Sequence, residues 1–370
     1  MREETYFDKL ISESEIRKIR LFKMTTIKKN KSTLVGKTID ELKLLCESHG
    51  YDNYRGEQLF NWIYKNYAIE FNSMINIPKK ILNNIKDNYD LHSLKYISST
   101  ESDIEKTNKI LFKTNSGALI ESVVMYEGNR VTLCISTQVG CALDCKFCAT
   151  AKMGFKENLT CSQIIDQYLQ ISSIIKYKIT NVVFMGMGEP FLNYTNVIKA
   201  ANLLHDDKGI NLGYNRITIS TAGIIKNIIK FSIEKQKFNL AISLNATSNE
   251  KRLEIMPITK NNTLDDLMKA SNLYASSVNK RLTFEYVLLK DINDDSNDAS
   301  RLIKLLSSVN KCKLNIIPYN YIGDVFERPD DKKIEKFLKI LEGAPFPVTV
   351  RWSKGTDISA GCGQLAVSEK

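Results

Sequence analysis

A chain of 370 residues that is 43% hydrophobic and 25% charged has the composition of a soluble globular protein. It is long enough for one large α/β domain and a small appendage. No stretch approaches the roughly 18 apolar residues of a membrane span, and the mixed-charge opening MREETYFDKL lacks the apolar core of a secretory signal. No membrane association and a cytoplasmic, reducing setting are therefore expected. The formal net charge of +10 favours a polyanionic partner such as RNA or DNA. Because 41 of the 52 basic residues are Lys, biased genome composition accounts for part of that surplus, and charge alone decides little.

Residues 1–33 read as a basic leader, nine basic against five acidic residues, expected to be poorly ordered. Met24 within it offers an alternative start. Residues 34–93 read as a small helical domain with a basic surface. Thr38, with Glu41 three residues later, makes a capped helix start. Leu59, Phe60, Ile63, Tyr64 and Tyr67 recur at helical spacing, and Pro78 opens a third helix where no amide hydrogen is missed. Over 94–130 the period falls to two. Residues 109–114 and 118–125, joined by Asn115-Ser116-Gly117, read as a β-hairpin connecting to the core.

The core spans 131–366. A strand at 131–136 is followed by strand candidates at 181–187, 216–221, 239–245, 281–290, 313–319 and 348–352. Helical stretches lie between them, around 160–176, 193–206, 223–235, 263–278, 296–308 and 331–342. Such alternation implies a parallel sheet wrapped by helices, open or closed into a barrel. Its chemistry belongs at the carboxyl ends of the strands.

The sharpest signal is Cys141-Ala-Leu-Asp-Cys145-Lys-Phe-Cys148. Three thiols so close in a reducing compartment suggest ligands. Zinc would want a fourth ligand, and the three histidines, His49, His92 and His205, are remote in sequence. Three thiolates with one vacant position suit a [4Fe–4S] cluster. Thiols packed on one helical face remain the plainest alternative.

This C-x3-C-x2-C triplet resembles the radical S-adenosylmethionine (SAM) superfamily. Its context, Gln138-Val-Gly-Cys141 through Cys148-Ala-Thr, resembles the adenine-C-methyltransferase branch, RlmN and Cfr. So do Tyr54-Arg55-Gly-Glu-Gln58-Leu-Phe-Asn-Trp62, Phe184-Met-Gly-Met-Gly188-Glu189-Pro190 and Gly361-Cys362-Gly363-Gln364. The resemblance runs from about residue 34 to 366. It implies a partial (β/α)6 barrel with a helical N-terminal domain, in which Cys141, Cys145 and Cys148 hold the cluster. SAM would bind the open iron, contacted by Gly188, Glu189, Ser220, Ser243, Leu244, Asn245 and Asn320. All of these end predicted strands, and each is otherwise an ordinary polar or turn position. The family pattern usually has His where this chain has Asn245.

Two further cysteines follow from the same resemblance. C2 of adenine is electron-poor and cannot attack a SAM methyl as a nucleophile. A radical route solves this: a 5′-deoxyadenosyl radical abstracts hydrogen from a methyl already carried on protein sulfur. The resemblance places that carrier at Cys362 and the resolving thiol at Cys134, so that a Cys134–Cys362 disulfide forms each turnover. It places a proton acceptor at Glu121. Without the resemblance these read as a loop thiol, a buried strand residue and an outward strand carboxylate. Cys46, Cys161 and Cys312 read as structural, while Arg351 and Lys354, beside Cys362, could neutralise RNA phosphates.

The implied activity is C2-methylation of adenosine in the peptidyl-transferase region of 23S rRNA and in tRNA beside the anticodon, at a loop or flipped-out base. It would consume two SAM per product, in a monomer supplied by an external, flavodoxin-like electron donor. The motifs do not decide between C2 and Cfr-type C8 methylation. A non-catalytic RNA-binding or zinc-stabilised protein is the rival of another class.

Overall fold

The computed structural model describes residues 31–367. Met24 and nearly all of the expected leader lie outside them. The helical unit comprises α1 (Ile39–Ser48), α2 (Tyr54–Tyr64) and α3 (Lys79–Asn88). At α1 the expected cap is present in both directions: Glu41 N donates to Thr38 Oγ1 and Thr38 N to Glu41 Oε2. Pro78 is the cap of α3 rather than its first helical residue.

The chain then enters its main sheet through three antiparallel strands, β1 (Leu94–Glu101), β2 (Thr107–Thr114) and β3 (Leu119–Glu127). The expected hairpin is thus β2–β3, and β1 is an added strand that the residue pattern hides. All but its first residue are exposed, so it shows no inward and outward alternation.

From β4 (Arg130–Cys134) onward strands and helices alternate. In order come α4 (Cys161–Ile174), β5 (Asn181–Phe184), α5 (Tyr194–His205), β6 (Ile217–Thr221), α6 (Ile225–Ile233) and β7 (Asn239–Ser243). They continue with α7 (Asn249–Ile255), α8 (Leu264–Val278), β8 (Leu282–Leu288), α9 (Ser296–Ser307), β9 (Cys312–Pro318), α10 (Asp331–Leu341) and β10 (Val348–Val350). Among the described residues the main sheet has ten strands, ordered β10-β9-β8-β7-β6-β5-β4-β3-β2-β1. Pairing is parallel from β4 to β10. Each strand lies beside its predecessor, with no reversal of order, which is the winding of a barrel rather than of a doubly wound sheet. The expected partial barrel with six crossovers is what forms, its strands ending a few residues short of the expected bounds.

Helical unit and barrel meet at a buried carboxylate. Asp166, on α4, is fully buried. It accepts from Ser93 N at 2.7 Å, Leu94 N at 2.9 Å and Ser93 Oγ at 3.2 Å, and pairs with His92 Nδ1 at 2.5 Å. Nearby, Lys199 on α5 reaches the Glu41 carboxylate at 2.7 Å. Among the described residues no helix is long and apolar enough to cross a membrane.

Candidate active site

The carboxyl ends of β4 to β9, with the segment after β10, surround one cavity. Cys134, Cys141, Cys145, Cys148 and Cys362 line it, as do Gly188, Glu189, Ser220, Ser243 and Asn245. Of the residues expected in the site, Glu121, Leu244 and Asn320 stand behind this lining. The histidines are engaged elsewhere: His49 against Leu45 O, His92 against Asp166 and His205 against Leu212 O.

The three-thiol loop follows β4 and is held on several sides. Cys141 N donates to Gly154 O at 3.1 Å, Lys146 N to Ile255 O at 3.0 Å, and Ala149 N to Gly363 O at 2.8 Å. Burial pushes the Cys141 thiol up to about 12 and Cys145 well above its ordinary value, and the neighbouring thiols add to both shifts. Crowded, desolvated thiols such as Cys141 and Cys145 resist ionising unless positive charge accompanies them, which is what a metal cluster would supply. Among the described residues no three His, Cys, Asp or Glu side chains converge on a point fit for a single metal ion. A cluster does not require such convergence, because each thiolate binds a different iron. The donor set therefore fits an iron–sulfur cluster better than one zinc ion.

Gly188 and Glu189 follow β5. Gly188 has φ +95°, and a Cβ there would stand 2.4 Å from Gln138 Cβ; only glycine permits so close a passage. Glu189 bridges two strand ends: Oε1 accepts from Phe191 N at 3.0 Å and Oε2 from Ala222 N at 2.8 Å. Burial raises its pKa to about 7 in spite of those bonds. Both oxygens retain lone pairs toward the cavity. Asn245, at φ +58°, accepts from Val287 N at 2.9 Å and so ties the end of β7 to β8. Leu244 is core: its N donates to Glu285 O, and its O accepts from Arg252.

Cys362 and Cys134 are brought together across 228 positions of sequence. Cys134 ends β4, and burial pushes its thiol to about 12, with Cys362 adding to the rise and Arg351 opposing it. Cys362 is exposed by surface area, yet desolvation among its neighbours raises it to about 11, again against Arg351. Both are free thiols in the structure. Gly361 leaves room where a Cβ would meet Gln364 Oε1 at 2.7 Å. Asn320 Nδ2 donates to Cys362 O at 2.9 Å and Ser353 Oγ at 2.7 Å. Its side chain holds the Cys362 loop rather than lining the cavity.

Arg351 lines the cavity, its Nη1 at 3.3 Å from Glu285 Oε1. Lys354 is 3.9 Å from Glu127 Oε1. Glu121 shares the β3 face of Val123 and Met125, which line the cavity, but it is buried outside that lining and is paired with Lys109 at 3.0 Å. Burial raises its pKa, with Lys109 opposing. Cys46, Cys161 and Cys312 are buried free thiols away from the cavity. Sequence reasoning missed Arg252, Glu285 and Gln138 as site residues. Gln138 stood in the quoted motif, while a charge in an unpatterned helix such as Arg252 carried no signal.

Comparisons with known proteins agree with this geometry. Residues 135–303 match the Radical SAM superfamily, and residues 32–90 match the ribosomal RNA large subunit methyltransferase N-terminal domain. A probable dual-specificity RNA methyltransferase RlmN of Pseudothermotoga lettingae is 40% identical, the alignment covering 90% of this chain and 97% of that one. One of Aquifex aeolicus is 43% identical over 89% and 95%, and the dual-specificity RNA methyltransferase RlmN of Desulfosudis oleivorans is 42% identical over 87% of each. The crystal structure of a radical SAM methyltransferase from Sphaerobacter thermophilus superposes with a TM-score of 0.87 at 36% identity, covering 90% of this chain and 99% of that one. Enzymes of the superfamily use a [4Fe–4S] cluster and SAM. The chain belongs to the RlmN family and is a radical SAM RNA methyltransferase.

Proposed function

We propose that the enzyme methylates C2 of adenosine in 23S rRNA and in tRNA, through a methyl group carried on Cys362. The observation that carries this reading is the meeting of Cys134, Cys362 and the three-thiol loop in one cavity. Cys141, Cys145 and Cys148 hold the cluster, which with SAM supplies a carbon-centred radical when bound. Glu189 accepts from the SAM ammonium with the lone pairs that Phe191 and Ala222 leave free. Gly188, Ser220, Ser243 and Asn245 shape the remaining wall. Leu244 and Asn320 act from behind it, through the β7 turn and the Cys362 loop.

The Cys362 thiolate, favoured by Arg351, would take the methyl of a first SAM on its sulfur: its S–C bond forms as the sulfonium S–CH3 bond breaks and S-adenosylhomocysteine leaves. The carried carbon joins C2 as a radical, so the adduct must give up one electron, which the cluster would accept, while a base removes the C2 proton; Glu121, buried and of raised pKa, is our candidate acceptor. Cys134 then attacks the Cys362 sulfur. The S–S bond forms, the C–S bond breaks, and its electron pair goes to the carbon, which takes a proton and becomes the product methyl. The cell reduces the disulfide afterwards, and an external donor of the flavodoxin type supplies electrons for the radical chemistry. Residues 34–93 serve as an RNA-binding accessory domain, 94–130 as the connector and 131–366 as the catalytic core, in a cytoplasmic monomer.

Mass analysis of nucleosides from RNA treated with the enzyme tests the reading. 2-Methyladenosine is expected; 8-methyladenosine without it refutes C2 chemistry. Iron and sulfide quantified after anaerobic purification discriminate against a zinc-stabilised binding protein.

A further inference from the structure

Arg252, on α7, is fully buried, and its guanidinium meets only neutral acceptors. Nε donates to Leu244 O at 3.0 Å, Nη1 to Thr259 Oγ1 at 2.9 Å, and Nη2 to Ala222 O at 2.6 Å and Ser243 O at 3.2 Å. No carboxylate pairs with it among the described residues. A buried cation without a counter-charge costs several kcal/mol, and Arg does not escape by losing its proton. Such a residue persists where something anionic occupies the neighbouring space.

That space is the cysteine loop. Ala222, Ser243 and Met256, which surround Arg252, line the cavity. Cys145 packs against the buried cluster that contains Ala222, Ile255 and Met256, and Lys146 N donates to Ile255 O. The arginine thus lies one layer behind the wall that carries the thiols. Its donors are spent on the carbonyls of that wall, so it acts through space and not by contact.

We propose that Arg252 is the fixed counter-charge of the iron–sulfur site and raises the reduction potential of the cluster held there. The proposal rests on Cys141, Cys145 and Cys148 being the ligands. Three thiolates around a [4Fe–4S] cluster make a net anion, and one electron from the external donor makes it more negative. A cation in a low-dielectric wall stabilises the reduced form more than the oxidised one. No bond or proton moves. Arg252 is a positioning residue, tying the ends of β6 and β7 to the turn after α7.

The test reconstitutes wild type, Arg252→Lys, Arg252→Met and Thr259→Asp with iron and sulfide. Each is then titrated with dithionite under EPR, with iron content and urea unfolding measured alongside. Thr259→Asp places a carboxylate against Nη1, neutralising the charge without removing the side chain, and it decides the matter where Arg252→Met fails to fold. Arg252→Lys keeps the wild-type potential. Arg252→Met and Thr259→Asp fall, by about tenfold in the reduced-to-oxidised ratio at fixed applied potential, about 59 mV for one electron. Thr259→Asp or Arg252→Met with full iron and an unshifted potential overturns the proposal. Wild type that binds no iron overturns the ligand assignment itself, and the proposal with it.

Discussion

Asn245 stands where the resemblance leads one to expect His, and its geometry says what the side chain does in this fold. It sits at φ +58°, is 1% exposed, and its Oδ1 accepts from Val287 N at 2.9 Å. Asn245→Ala removes the acceptor and leaves that N–H without its partner, at about 1–3 kcal/mol. Ala also fits the left-handed backbone worse than Gly, by about 1 kcal/mol. Asn245→Ala should therefore lose about 2–4 kcal/mol, and Asn245→Gly about 1 kcal/mol less. Asn245→His should stay within about 1 kcal/mol of wild type. His tolerates positive φ, and its Nδ1 hangs on Cγ as the Asn oxygen does, so it can take the same N–H. The flexible Met256, whose sulfur is 3.3 Å from Asn245 Nδ2, can yield to the larger ring. Urea midpoints at constant m for the metal-free protein measure all three. An Ala variant as stable as the Gly variant refutes the backbone argument. One within about 0.5 kcal/mol of wild type refutes both.

Cys134→Ala should trap a covalent protein–RNA adduct, seen as a shifted band, whereas Cys362→Ala forms none; free RNA in both would contradict the assigned roles. Glu189 has a folded pKa near 7 against an ordinary 4.5, so its contribution to stability is fully present below about 4.5 and lost as pH rises through about 7, about 3 kcal/mol in all. Glu189→Gln should therefore gain on wild type in urea unfolding between pH 5 and 8, and a pH-independent difference would refute the burial argument. His92 is depressed by burial but raised more by Asp166, so its contribution is complete below its unfolded pKa and lost above its raised folded one. Asp166→Asn should cost about 3 kcal/mol at pH 6 and less at pH 9; equal losses would show that the ion pair is not responsible.

Much of the barrel was legible because its strands are buried runs punctuated by glycine, proline and polar turns. The segment at 217–221, Ile-Thr-Ile-Ser-Thr, needs only its two isoleucines in the core to be read as a strand. The capping box at Thr38 was legible for a different reason, since it is a local exchange of hydrogen bonds. Strand β1 was not, because it owes its place to the ladder with β2 and not to a buried face. Helix α7 was hidden because its largest buried side chain is an arginine, which no hydrophobic period reports. Polar residues at strand ends announced the site but not their direction. Ser220 and Ser243 reach the cavity, while Asn320 turns to Cys362 O and Ser353. Bringing Cys134 beside Cys362 needed the whole barrel, or a resemblance.

A single carboxylate, Asp166, gathers the backbone of Ser93 and Leu94 and the ring of His92 at the seam between helices and barrel. A seam pinned at several atoms does not hinge. The helical unit is consequently held at a set span from the three-thiol loop, like the fixed jaws of a calliper.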